Sequence, residues 1–265
     1  MPAIYKTGIV LSGGGARGFS HLGVLQALNE AGIFPDIISS VSSGAIAGVF
    51  YADGYKPYEI LKLLSGNKRL DYMSFVMPNY GLLDMTGLIK ILSRYIKARS
   101  FEELKIPLLV AATNLNTGSV TYFSSGDLIN AIVASSSIPV LFKPTIINNQ
   151  EYVDGGVMDN LPVGPLVRKC ELLIGSHVNP IGYIEKFSSM IAIAERSFYL
   201  SVASHLSDKS KKFDLFIDPP ELKKFELLDP TKGNEIFEVG YKETKKILKS
   251  FLKKKSSYKF LGQGT

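Results

Sequence analysis

The sequence contains one cysteine, Cys170, among 265 residues. A single thiol cannot form a disulfide within the chain, and Cys170 follows Arg168-Lys169 rather than lying in a reactive-thiol motif. We interpret it as a half-buried small residue of a protein in a reducing compartment. No apolar run reaches the length of a membrane span, and Thr7–Ser12 already has the pattern of a first core strand. We therefore expect a cytoplasmic protein without a signal peptide or a transmembrane helix.

Histidine is also scarce, with only His21, His177 and His205 in the chain. These residues form no cluster with cysteines or carboxylates at the spacing of metal ligands, so we expect no metal and no other cofactor. Only His177, at the end of a predicted strand, could reach the edge of a sheet where catalytic groups lie. A packed or solvent-contacting role is favoured for it over that of a base.

Net positive charge is absent outside the C-terminus, although the whole chain has a net charge of +6. Residues 242–259 hold eight lysines and one acid, Glu243, so this segment carries +7 and the rest of the chain about −1. The basicity therefore belongs to the C-terminal segment, and we expect no nucleic-acid partner.

The apolar content of the sequence is large, 46%, and short apolar runs alternate along the chain with segments of helical periodicity. This pattern predicts an α/β protein with three α/β/α layers and a mostly parallel central sheet. We expect one domain over residues 1–265, with the motifs at about 8–179 and a helical region at about 187–255. The predicted strands are Gly8–Ser12, Asp36–Val41, Pro107–Thr113, Ile146–Ile147, Glu151–Val153, Leu172–Val178 and Asp214–Ile217. The predicted helices are Phe19–Ala31, Ser43–Ala52, Pro57–Leu64, Thr86–Lys97, Leu128–Ser135, Pro162–Arg168, Ser188–Ser207 and Gly233–Leu252.

Three further segments have distinct patterns. The alternation in "GSVTYFSSG", from Gly118, indicates an antiparallel edge strand, and "NNQ" at 148–150 indicates a hairpin-like turn. Residues 65–85 are rich in methionine and aromatic residues. A segment packed into the core is favoured there over a cap above the sheet, because such side chains usually pack inward.

The stretch "SVSSG" at 40–44 follows a predicted strand and opens a predicted helix. A nucleophilic serine needs such a strained strand-to-helix turn, at which its hydroxyl is exposed and the helix N-terminus faces the reacting centre. Ser42 lies at the tip of the turn, and Ser43 and Gly44 begin the helix. The usual pattern is G-x-S-x-G, so Ser40 replaces the first glycine. The alternative reading makes Ser42 and Ser43 simple N-cap residues.

A second motif, "GGGARG" at Gly13–Gly18, follows the first strand directly. Consecutive glycines allow backbone N–H groups to converge on an oxyanion, so Gly13, Gly14 and Gly15 are the predicted donors. Arg17 would add positive charge or anchor the loop to a backbone carbonyl. The same residues match the dinucleotide fingerprint G-x-G-x-x-G. That reading is disfavoured, because the nearest acid, Asp36, begins the second strand instead of ending it.

The third motif is "YVDGGVMDN" at 152–160, in which Asp154 ends a short strand and Gly155-Gly156 follow. The two glycines would let the backbone pass close to another loop and would leave the carboxyl group of Asp154 accessible. A turn-forming aspartate is the simpler alternative.

Together these motifs give the chain a resemblance to the bacterial patatin-like phospholipases. The glycine loop at Gly13–Gly18, the turn at Ser40–Gly44 and the D-G-G element at 154–156 match in order and spacing, as does "VASSSIPVLFKPTIINNQEYVDGGVMDNLPV" at 133–163. The resemblance covers about residues 8–179. It implies a Ser-Asp dyad, with Ser42 as nucleophile and Asp154 as base, in an enzyme that hydrolyses lipid acyl esters. An acyltransferase or a thioesterase with the same dyad, or a lipid-binding module with little catalysis, remains an alternative.

The expected partner is a lipid or another acyl ester, which needs an apolar trough beside Ser42. Residues 65–85 and "SSSIPVLF" at 135–142 offer suitable side chains. In the C-terminal segment Phe237, Tyr241, Leu248 and Leu252 recur at helical spacing among lysines. Docking of this helix on the domain is favoured over contact with an anionic membrane.

Overall fold

The computed structural model describes residues 4–65, 74–75, 83–183, 185–187, 190, 193, 196–197, 200, 206–227 and 229–261. Its strands are β1 (Tyr5–Leu11), β2 (Ile37–Val41), β3 (Ser74–Phe75), β4 (Leu83–Asp84), β5 (Leu108–Asn114), β6 (Ser119–Phe123), β7 (Thr145–Ile147), β8 (Gln150–Asp154), β9 (Cys170–Ser176) and β10 (Leu215–Ile217). Its α-helices are α1 (Phe19–Glu30), α2 (Ser43–Ala52), α3 (Pro57–Ser65), α4 (Thr86–Tyr95), α5 (Leu128–Ser136), α6 (Gly156–Asp159), α7 (Leu206–Ser210) and α8 (Gly233–Leu261).

The central sheet has the order β10-β9-β1-β2-β5-β8-β7, and β6 pairs with β5. The pairs from β10 to β5 are parallel, whereas β6, β7 and β8 join by antiparallel pairing. Asn148 and Asn149, both with positive φ, form the turn of the β7–β8 hairpin. The predicted mostly parallel sheet, the antiparallel edge strand and the hairpin are thus confirmed.

Alternate residues of each inner strand enter two separate apolar clusters, one on each face of the sheet. Ile9 and Leu11 of β1 pack with α1, α2 and α8 in the larger cluster. Val10, between them, packs on the other face with residues of the segment 161–167. Because both faces are covered, the protein has the three layers that the sequence predicts.

One prediction about the chain after β8 is corrected. Pro162–Arg168 is not an α-helix, since only the 3-10 turn Gly164–Leu166 forms there. Pro165 has no N–H to donate and Arg168 has a φ of 62°, so the segment cannot continue as a helix. Cys170 is consequently the first residue of β9 rather than the residue after a helix.

Two other predictions fall largely or partly outside the described residues. These are the interpretation of residues 65–85 and the helix over Ser188–Ser207. Met85, the last residue of the first segment, packs against the core. The described helix Leu206–Ser210 overlaps the end of the second.

The C-terminal helix α8 docks on the domain by its apolar side. Ile236, Phe237 and Leu248 are buried, while Leu252 is 48% exposed. Gly23 of α1 and Gly240 of α8 bring the two backbones together, because a Cβ at either position would collide with a carbonyl oxygen of the other helix. The lysines of α8 at 242, 245, 246 and 249 remain exposed. Within the described part of the chain, no helix is both long and apolar enough to cross a bilayer.

Candidate active site

The register of the sheet brings Ser42 and Asp154 together. Strand β2 pairs with β5 as far as Val41 and Ala111, and β8 pairs with β5 from Ala112, which lies opposite Asp154. Because β6 occupies the other edge of β5 along both stretches, β2 and β8 lie end to end on the same side of β5. The first residue after β2 therefore meets the last residue of β8.

Ser42 has the conformation of a strained strand-to-helix turn. Its φ of 53° and ψ of −125° are rare for a residue other than glycine, and such strain concentrates at functional sites. Gly44 permits the turn, since a Cβ there would lie 2.6 Å from the Ser12 carbonyl oxygen. Ser40, the departure from the usual pattern, is fully buried and donates its hydroxyl to the Leu109 carbonyl at 3.0 Å. The extra side chain is therefore accommodated by a hydrogen bond.

Asp154 is buried, with 2% of its surface exposed, and its carboxyl group lies near enough to the Ser42 side chain for the hydroxyl to affect its pKa. Burial raises the pKa of Asp154 to about 6, although the nearby Ser42 hydroxyl and a hydrogen bond from the Gly156 N–H, at 2.7 Å, act in the opposite direction. Gly155 allows the close approach, since a Cβ there would lie 2.8 Å from Val41 Cγ2 and would collide with the Ala111 carbonyl. Such a carboxylate is a stronger base than a solvated aspartate.

The glycine loop lies against this pair. A Cβ on Gly13 would be 3.1 Å from Ser42 Cβ, and one on Gly18 would be 2.6 Å from Ser43 Cβ. The Gly13 N–H donates to the Asn160 carbonyl at 3.3 Å, so it is engaged elsewhere. Among the described residues, no backbone acceptor receives the N–H groups of Gly14 and Gly15.

Residues that precede α8 support the far side of the loop. Arg17 Nε donates to the Phe225 carbonyl at 2.9 Å, and the Ala16 N–H donates to the Leu227 carbonyl at 2.7 Å. The acid considered for a dinucleotide site, Asp36, accepts the Thr7 N–H at 2.8 Å at the start of β2, the opposite end of that strand from Ser42. This arrangement disfavours a dinucleotide site.

Two of the three serines at 135–137, a stretch that the sequence indicated only as part of the trough beside Ser42, hold both corners. The Ser135 hydroxyl accepts the Ser42 N–H at 2.8 Å and donates to the Ala111 carbonyl at 2.7 Å. The Ser137 carbonyl accepts the Asp154 N–H at 2.9 Å. The motif "ASSSIP" was visible in the sequence, but its contacts depend on where α5 ends relative to β2 and β8.

The two described histidines bond to groups other than Ser42 and Asp154. His21 is buried beneath the glycine loop, where its ring nitrogens contact Ser176 Oγ and the Ser12 carbonyl, each at 2.8 Å. Burial lowers the pKa of His21 to about 4, so the ring is neutral at physiological pH. His177 Nδ1 pairs with Asp218 at 2.9 Å. His205 lies outside the described residues.

A cavity of about 160 Å³ opens beside Ser42. The described residues that line it carry no charged side chain. Its apolar walls come from the first two helices, from α4 and from the segment after α5, and they include Phe19, Leu22, Ile46, Leu88, Ile138 and Phe142. Met85, at the end of the segment 65–85, also lines it. An apolar chain matches this lining in chemistry.

An α/β fold that places a strained serine beside a buried carboxyl group and an apolar cavity has the parts expected of an enzyme active site. The family model described as "Patatin-like phospholipase" matches residues 9–167, and the chain belongs to that family.

The chain is similar in sequence to curated relatives and in fold to a solved structure. Lysophospholipase NTE1 of Kluyveromyces lactis is 30% identical over 88% of this chain, and the match covers 18% of that protein. An uncharacterized NTE family protein of Mycobacterium bovis is 31% identical over 61% of this chain and 45% of its own length. The chain thus spans less than half of these relatives. The crystal structure of VipD from Legionella pneumophila superposes with a TM-score of 0.56 at 16% identity, over 94% of this chain and 67% of that one.

Proposed function

We propose that the protein is a serine hydrolase of lipid acyl esters, of the phospholipase A, lysophospholipase or carboxylesterase type. The observation that carries the proposal is the meeting of the strained Ser42 with the buried Asp154 at the ends of β2 and β8, where the pKa of about 6 of Asp154 suits a general base near neutral pH. The uncharged cavity beside Ser42 supports an acyl chain as the group that is bound. The relative named as a lysophospholipase makes lysophospholipids the first class to test.

In this mechanism Asp154 takes the proton of Ser42 while Oγ attacks the ester carbonyl carbon. The carbonyl oxygen becomes an oxyanion, which the N–H groups of Gly14 and Gly15 and the N-terminus of α2 at Ser43 stabilise. Collapse of the intermediate breaks the ester bond, and Asp154 returns the proton to the leaving alcohol. Water activated by Asp154 then releases the fatty acid from Ser42.

The test is hydrolysis of chromogenic acyl esters, from short to long chains, by the purified wild type and by Ser42→Ala, with lysophospholipid as a second substrate. We expect hydrolysis by the wild type, a preference for chains that fill the cavity, and labelling of the wild type alone by a fluorophosphonate probe. A wild type that neither hydrolyses nor is labelled would make the chain a lipid-binding module. Transfer of the acyl group to an added alcohol, or cleavage of thioesters alone, would favour the acyltransferase or thioesterase alternative.

We also infer that any peripheral contact with an anionic membrane is electrostatic. The apolar stripe of α8 is already packed on α1, which leaves the exposed lysines at 242, 245, 246 and 249 as the available groups. Flotation with anionic vesicles should therefore weaken with added salt and after Lys242, Lys246 and Lys249 are changed to Glu. The matched control changes Lys6, Lys56 and Lys90, which lie outside α8. Equal flotation of both triple variants would dismiss the role of α8.

A further inference from the structure

Both polar groups of Gly13 are bound within the protein. Its N–H donates to the Asn160 carbonyl at 3.3 Å. Its carbonyl oxygen accepts Asn179 Nδ2 at 2.7 Å and the Ser12 hydroxyl at 3.1 Å. Asn179 is 8% exposed, three residues beyond the end of β9. The carbonyl of a loop glycine is therefore held by a side chain that lies 166 residues away in the sequence.

The direction of this carbonyl fixes the direction of the next N–H group. The peptide unit between Gly13 and Gly14 is planar, and in a trans peptide the C=O and the N–H point to opposite sides. A carbonyl held towards Asn179 therefore directs the Gly14 N–H away from Asn179. Among the described residues no backbone acceptor receives this N–H, and Gly13 itself packs against Ser42.

The orientation of the Asn179 amide follows from the same contact. Its Nδ2 faces the Gly13 carbonyl, whereas the reverse orientation would oppose two acceptors. Its Oδ1 is buried and has no hydrogen-bond partner in the part of the chain that the structure describes. A buried unsatisfied oxygen costs about 1–3 kcal/mol, so an apolar residue of similar size would serve packing better. What an apolar residue cannot supply is the N–H donor to Gly13.

We propose that Asn179 is a positioning residue for the oxyanion hole: by holding the Gly13 carbonyl it aims the Gly14 N–H at the oxygen that becomes charged during ester cleavage. This inference rests on the proposed function. It assigns to Asn179 an effect on the transition state and none on substrate binding, because the residue lies behind the loop and outside the described lining of the cavity.

The test compares Asn179→Ala and the isosteric Asn179→Asp with the wild type on one acyl ester. His177→Gln is the control, since it removes a buried side chain of the same segment whose contact is to Asp218 instead of the loop. An alkyl trifluoromethyl ketone serves as inhibitor, because its adduct with a serine carries an oxyanion in the hole. For both Asn179 variants we expect kcat to fall by about 10–100-fold, KM to stay within about 3-fold, and the inhibition constant to rise in step with kcat. The control should change each value by less than about 3-fold.

Three results would overturn the inference: kcat within about 3-fold of wild type in both variants, a rise in KM with unchanged inhibition by the ketone, or loss of cooperative unfolding in both. The last would make Asn179 a purely structural residue. The proposed function is tested separately by the wild type. A wild type that neither hydrolyses the ester nor reacts with a fluorophosphonate refutes the proposed function, whereas an active wild type with unaltered Asn179 variants refutes only the role of Asn179.

Discussion

The corner at Ser42 and the corner at Asp154 meet at one point, but they are built on different physical principles. At Ser42 the backbone is forced to a positive φ and is held there by the Ser135 hydroxyl and by the close approach of Gly44 to β1. At Asp154 the chain ends a strand and enters α6 without a positive φ. The destabilisation of the fold at Asp154 is electrostatic, because a carboxyl group is removed from water.

Under the proposed function, this difference explains how a serine and an aspartate can act together without a histidine. In the proposed mechanism, strain presents the hydroxyl of Ser42, and burial makes the carboxylate of Asp154 basic enough to take its proton. Each corner thus loses stability for a different reason, and each loss can be removed without touching the other. Four tests break or sharpen this contrast.

The largest effect is expected at the strained corner. Ser42→Ala and Ser42→Gly should each lower kcat/KM by at least about 10³-fold, since both remove the attacking oxygen. The two variants should differ in stability, because glycine accepts a φ of 53° and alanine does not. We expect Ser42→Gly to be more stable by about 1 kcal/mol in urea unfolding. Equal stabilities would mean that Ser42 stores no strain.

Asp154→Asn should lower kcat by about 10²–10⁴-fold, as expected for loss of a general base, and yet stabilise the fold. The native pKa of about 6 lies above the ordinary value of 3.8, so the stabilising proton is bound below pH 4 and is lost as the pH rises through 6. A shift of this size corresponds to about 3 kcal/mol at pH 8. The neutral amide avoids that loss. Its advantage in urea unfolding should shrink as the pH is lowered from 8 towards 4, and a constant advantage would contradict the assigned pKa.

The pH dependence of the wild type is the third test. With Asp154 as base, kcat/KM should fall about tenfold per pH unit below about 6 and level off above it. The midpoint of the kcat/KM profile reports the pKa of the base in the free enzyme, so it should not depend on the acyl chain length of the substrate. A midpoint near 4 would indicate a solvated carboxylate, and would argue against burial as the source of basicity.

The smallest effect is expected for Ser40→Gly, which restores the usual glycine of the turn. The change removes the hydrogen bond to the Leu109 carbonyl, so we expect a loss of about 1 kcal/mol in stability. Activity should stay within about 3-fold, because Ser40 contacts neither Asp154 nor the cavity among the described residues. A large gain in kcat would show that Ser40 disturbs the nucleophile.

Much of the fold was predictable because its signals are local. Strand β2 and helix α2 begin or end within one residue of their predicted bounds, since an apolar strand, small residues and a helical pattern follow each other without interruption. The segment Pro162–Arg168 has apolar spacing compatible with a helix, but two prolines and a left-handed Arg168 override it.

The supporting contacts of the site were not predictable in the same way. Ser135, Asn160 and Asn179 act through hydrogen bonds to Ser42 or Gly13. These partners lie between 93 and 166 positions away in the sequence. Nothing in their local sequence specifies those partners. The engagement of the Gly13 N–H with Asn160 likewise depends on how the chain leaves β8. The sequence predicted three oxyanion donors, whereas only the N–H groups of Gly14 and Gly15 are without a backbone acceptor among the residues that the structure describes.

Strand β9 fills the position between β1 and β10, and it begins three residues after the end of the segment that the family model matches. A fragment that stopped at residue 167 would keep Ser42 and Asp154 but would leave the seven residues of β1 unpaired along one side. An open, apolar edge of that length invites strand addition from other chains. We therefore expect such a fragment to aggregate, and the smallest self-sufficient unit of this protein to extend well past its recognisable motifs.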